Sequence, residues 1–107
     1  VLELGAGVGL PGLALAAGAP TAEAVVLSDG DSRLVEDMEA SLARWREAAL
    51  RQRGRTRTPS LPCKVVASAC PWGSAHGAGV SELSRRWGPF DLVLAADCVY
   101  GRLYDFG

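Results

Sequence analysis

The sequence predicts an α/β fold, a parallel sheet with helices on both faces. Two patterns carry this. Short apolar runs, several rich in β-branched residues, alternate with stretches of helical periodicity. A cluster of glycines, Gly5, Gly7 and Gly9, follows the first apolar run, where a strand must turn into a helix. Strand and helix then alternate along the chain, which implies parallel strands joined by helical crossovers.

The elements follow in order. Residues 1–4 are a short apolar strand before the glycines. Residues 10–17 read as a helix with Pro11 in its first turn, where a missing N–H costs nothing, and Gly18 ends it. Residues 24–28, "AVVLS", are a second buried strand. Ser32 is placed to N-cap the next helix. Leu34, Met38, Leu42, Trp45 and Ala49 form one apolar stripe on it, and its end is expected near Gly54. Residues 51–62 are a basic linker without periodicity. Residues 63–67, "CKVVA", are a third strand, 71–79 a loop, 81–87 a short helix and 91–95 a fourth strand.

The chain has 107 residues, enough for one small domain, and 49% of them are hydrophobic. Val1 already lies inside a strand pattern, so residues 1–107 are expected to be one part of a larger domain, the part that holds strands one to four of its sheet. A net charge of −1 gives no bulk attraction to DNA or to a membrane surface. No apolar run reaches the ~18 residues of a membrane span. Cys63, Cys70 and Cys98 show no paired spacing, which fits a reducing, cytoplasmic setting. A single histidine, His76, argues against zinc, and no metal site is expected.

In such sheets ligands bind outside the carboxyl ends of the strands. Gly5, Gly7 and Gly9 form GxGxG there, and Gly7, Gly9 and Gly12 also satisfy GxGxxG. That motif alone does not separate a dinucleotide from other nucleotide-like ligands. Glu3, two residues before Gly5, adds a carboxylate in an apolar strand. It would repel a pyrophosphate and favour a ligand carrying an ammonium or sulfonium. Asp29 ends the second strand, where an acid can accept from both ribose hydroxyls, with Asp31 as the second candidate. Asp97 ends the fourth strand within "AADCVY" and is expected to face the ligand cleft, with a helix N-cap as its other reading.

"VLELGAGVGLPG", "VVLSDGD", "PWG" and "FDLVLAADCVY" resemble, in order and spacing, the class I S-adenosylmethionine methyltransferases. More narrowly they resemble the family 16 group of seven-β-strand protein-lysine methyltransferases, over essentially the whole chain except the linker. The resemblance implies a Rossmann-like methyltransferase fold with S-adenosylmethionine as cofactor. It implies that Glu3 and the turn Gly5, Ala6, Gly7 and Gly9 hold the methionine part of the cofactor. It further implies Asp29 on the ribose, Trp72 beside the adenine and Ala96 as a cofactor contact. Asp97 and Tyr100 match the group's Asp-x-x-Tyr signature at the mouth of the active site. Cys70 and Pro71 before Trp72 depart from the group's Leu-x-Trp-Gly pattern.

The implied reaction is methyl transfer to a lysine of a protein substrate. Asp97 would orient the amine, and the Tyr100 ring would pack on the lysine stem or give a cation–π contact. Asp97, Cys98, Val99 and Tyr100 lack the Pro-Pro pattern of nucleic-acid amino methyltransferases, so nucleic acid is not the expected partner. A small-molecule acceptor, an RNA acceptor bound through Arg51, Arg53, Arg55 and Arg57, and a non-catalytic binding module stay open as alternatives.

Overall fold

The computed structural model describes residues 1–18, 21–51, 64–72 and 79–98. Four strands form one sheet: β1 (Leu2–Leu4), β2 (Ala24–Asp29), β3 (Lys64–Ala69) and β4 (Val93–Ala95). Every pairing is parallel, and the spatial order is β3-β2-β1-β4. The helices are α1 (Leu10–Gly18), α2 (Ser32–Arg51) and α3 (Gly79–Trp87). The chain steps outward from β1 to β2 to β3, then crosses back to set β4 on the other side of β1. The order therefore reverses between β1 and β4, and an open α/β sheet has its ligand crevice at the carboxyl ends beside such a reversal.

Side-chain alternation along the strands divides the core in two. Val25, Leu27 and Val65 pack with Leu13 and Ala16 of α1 and with Val35, Met38 and Leu42 of α2. Leu2 and Val26 point the other way and pack with Cys70 and with Leu83 of α3. Helices thus cover both faces, as the sequence predicts. Val25, Val26 and Leu27 are fully buried in succession, the mark of a central parallel strand covered on both sides. The buried Ser28 hydroxyl donates to the Glu3 carbonyl at 2.7 Å and ties β2 to β1.

Several boundaries differ from the sequence expectation. Asp31, not Ser32, caps α2: its Oδ1 accepts the Arg33 N–H at 2.9 Å and its carbonyl accepts the Val35 N–H. The buried seam of α2 runs through Val35, Met38 and Leu42, while Leu34 and Trp45 are only half-buried. β3 continues to Ala69, because its ladder with β2 extends to Asp29 opposite Ala69. Tertiary pairing there overrides the weak strand preference of Ala-Ser-Ala. α3 starts two residues earlier than the period implied, and β4 is confined to Val93–Ala95. Cys63, Gly73, Tyr100, the Ala49 side chain and the linker beyond Arg51 lie outside the described residues. Among the described residues, no helix is long and apolar enough to cross a membrane.

Candidate active site

The glycine turn occupies the carboxyl end of β1. Gly5, Gly7 and Gly9 all have left-handed backbones, with φ of 60°, 57° and 77°. A non-glycine residue would pay roughly 1–2 kcal/mol at each of these positions. The N–H groups of the turn are largely committed within the protein. Ala6 N–H donates to the Ser28 carbonyl at 2.9 Å, Gly7 N–H to Asp29 Oδ2 at 3.0 Å, and Gly9 N–H to the Ala6 carbonyl at 2.8 Å. The glycines therefore offer a ligand a floor without β-carbons more than a row of free donors. Gly9 and the buried Ala6 lie on the protein side of the turn. A β-carbon on Gly9 would stand 2.9 Å from Leu27.

Glu3 lies beneath this turn and is only 2% exposed. Its Oε2 accepts the Gly12 N–H at 2.9 Å. That donor belongs to the first turn of α1, where the helix dipole also favours a carboxylate. Burial pushes the Glu3 carboxyl above its ordinary range, and the Gly12 bond pulls it back in part. Glu3 thus has its partner inside the protein, and its burial does not by itself demand a cationic ligand.

Asp29 is 6% exposed and faces a small cavity. Its Oδ2 receives the Gly7 N–H, and its Oδ1 receives the Asp31 N–H at 2.9 Å. Each carboxylate oxygen has two acceptor positions, so one on each remains for a ligand hydroxyl. Asp31 is exposed and spends its carboxylate on the α2 cap. Of the two acids, only Asp29 lines the cavity.

The cavity holds about 110 Å³ and is lined by Gly5, Gly7, Asp29, Gly30, Leu34, Trp72 and Cys98. A pocket that encloses a whole small-molecule ligand usually measures ~300–1,000 Å³, so these residues form one part of such a site. Gly5, Gly7, Asp29 and Trp72, singled out from the sequence, meet here. Glu3, Ala6, Gly9, Ala96 and Asp97 are not among the lining residues. Ala96 and Asp97 are exposed just past β4, next to Cys98, and Asp97 has a left-handed backbone with φ 49°. A larger concavity of about 520 Å³ lies at the opposite end of the sheet, among Val1, Glu23 and Trp87. That is the end away from which α/β sheets hold their ligands.

Three lining residues were not picked out from the sequence. Gly30 follows Asp29 directly. Leu34 leaves the α2 seam to its neighbour Val35 and turns its own side chain to the cavity. Cys98 sits inside the Asp-x-x-Tyr run. For Leu34 a signal existed: it and Val35 compete for the same seam, and one of them must face elsewhere.

A parallel sheet ordered β3-β2-β1-β4, with a glycine turn after β1 and an acid ending β2, defines a Rossmann-like nucleotide-binding protein. A sequence model of the lysine methyltransferase family matches residues 1–103, and the chain belongs to that family. Among curated proteins and among solved structures, no match was found.

Proposed function

We propose that this methyltransferase uses S-adenosylmethionine to methylate a lysine side chain of a protein substrate. The observation that carries the reading is the cavity at the carboxyl ends of β1, β2 and β3, where Gly5, Gly7, Asp29 and Trp72 converge one strand away from Asp97. Membership of a lysine methyltransferase family supports the acceptor. Residues 1–107 are read as the cofactor-binding part of the domain, and the sparse cysteines favour the cytoplasm.

The donor set fits the cofactor. The open acceptor positions of Asp29 suit two ribose hydroxyls, and the half-buried Trp72 ring offers a face or edge to a planar base. Glu3, Ala6 and Gly9 act on the methionine part through the turn they anchor, and Ala96 contacts the cofactor from the end of β4. When bound, S-adenosylmethionine supplies an electrophilic methyl group on a sulfonium. The chain's task is to align an acceptor with that group and to exclude water. Asp97 accepts a hydrogen bond from the acceptor amine and fixes the direction of its lone pair, while the amine's proton leaves to water. Tyr100 packs its ring against the acceptor's aliphatic stem.

Calorimetry on the full-length protein tests the ligand. S-adenosylmethionine and S-adenosylhomocysteine are expected to bind and NAD is not. Heat from NAD, with none from either adenosyl ligand, would overturn the reading.

A further inference from the structure

β1 and β4 lie side by side with Leu4 opposite Ala95, so the chain leaves both strands at the same level. After β1 comes Gly5, and after β4 come Ala96, Asp97 and Cys98. A β-carbon built on Gly5 would stand 2.6 Å from the Cys98 β-carbon and 3.8 Å from Trp72 Cη2. Cys98 therefore occupies the space that any side chain at position 5 would need. Just before it, Asp97 holds a left-handed backbone, which aspartate adopts more readily than most non-glycine residues. Gly5, Trp72 and Cys98 form one continuous wall of the cavity.

We infer that Cys98 is a positioning residue: its β-carbon, seated on Gly5, holds the left-handed Asp97 backbone beside the cavity. The glycine turn and the placement of Asp97 are thereby set together. This rests on the methyltransferase reading given above. Cysteine suits the position because it carries one heavy atom beyond the β-carbon and behaves as a small apolar group. A longer or branched side chain would fill the cavity, and glycine would release the contact.

The test combines ligand-free melting with kinetics, both on the full-length protein. In the melting cycle, Gly5→Ala lowers the melting temperature through two causes, backbone strain at φ 60° and the clash with Cys98. In a Cys98→Gly background only the strain remains, so the loss from Gly5→Ala should be smaller. Equal losses in the two backgrounds would overturn the contact. In the kinetic arm, Cys98→Gly should lower kcat at least tenfold while weakening S-adenosylmethionine binding less than threefold. Cys98→Ser restores the β-carbon and should recover most of kcat. A parallel loss of kcat and affinity, or no recovery with serine, would reduce Cys98 to packing and overturn the positioning role. Wild-type protein that binds no S-adenosylmethionine would overturn the methyltransferase reading and this role with it, a failure recognisable because it appears before any substitution.

Discussion

Gly12→Ala should destabilise the protein, although helix propensity alone favours it. Gly12 lies in α1, where alanine gains about 1 kcal/mol over glycine. The structure opposes that gain. A β-carbon there would come 2.5 Å from Glu3 Oε2 and closer still to Leu27 Cδ2. Leu27 is fully buried and Glu3 is 2% exposed, so neither side chain has solvent to move into. Overpacking of this kind costs roughly 1–3 kcal/mol. The Gly12 N–H to Glu3 bond is buried, and leaving such a group without its partner costs about 1–3 kcal/mol. With partial loss of the bond and the propensity gain subtracted, the net is a destabilisation of about 2 kcal/mol. Gly7→Ala is the contrast. Nothing lies within 4 Å of its added β-carbon, and only the left-handed backbone opposes it. Urea unfolding of the two variants, read as midpoint at constant slope, decides. A Gly12→Ala midpoint at or above wild type would refute the packing argument.

Further outcomes follow from the same contacts. Because burial raises the Glu3 pKa, its neutral form favours the fold. The stability this contributes is complete below the ordinary carboxyl range and is lost as pH rises through the folded pKa. Glu3→Gln should therefore compare worse with wild type at pH 4 than at pH 7, measured by unfolding at both pH values; the opposite trend would show a lowered pKa. Asp29→Asn replaces a group whose two oxygens each accept a backbone N–H, so it faces one donor with another and should cost about 1–3 kcal/mol without ligand. Asp31→Asn keeps a good helix cap and should cost almost nothing, so equal midpoint losses for the two would be inconsistent with the observed bonding. Iodoacetamide should label Cys98, half-buried on the cavity wall, well before Cys70, which is fully buried with its thiol pKa pushed up by desolvation. S-adenosylhomocysteine should slow labelling at Cys98, and mass spectrometry of the tryptic peptides reads both sites.

Much of this architecture is legible in local residue patterns. Runs such as "AVVLS", short and rich in β-branched residues, read as buried strands, and the spaced glycines mark a strand-to-helix turn. What escaped local reading depends on contacts distant in sequence. Asp31 displaced Ser32 as the cap because the Asp29 carboxylate had already turned the chain through the Asp31 N–H. β3 lengthened because β2 supplied partners as far as Asp29. The partner of Glu3 is a backbone N–H of α1, and no residue type announces such a donor. Cys98 resembles any small apolar residue until β1 and β4 bring it onto Gly5.

The central claim, methyl transfer to protein lysine with Asp97 at the acceptor, is tested most directly by radiolabelled transfer. Full-length enzyme, methyl-labelled S-adenosylmethionine and a cell extract would be incubated, and the label followed into protein, RNA and small-molecule fractions. Wild type is expected to place the label in protein, on the Nε of lysine after hydrolysis. Asp97→Asn, which tolerates the same left-handed backbone, should transfer about 100-fold less, the upper part of what a hydrogen bond to a charged group contributes, with cofactor affinity within about threefold. Label in RNA or small molecules with none in lysine, or wild-type transfer by Asp97→Asn, would contradict the account.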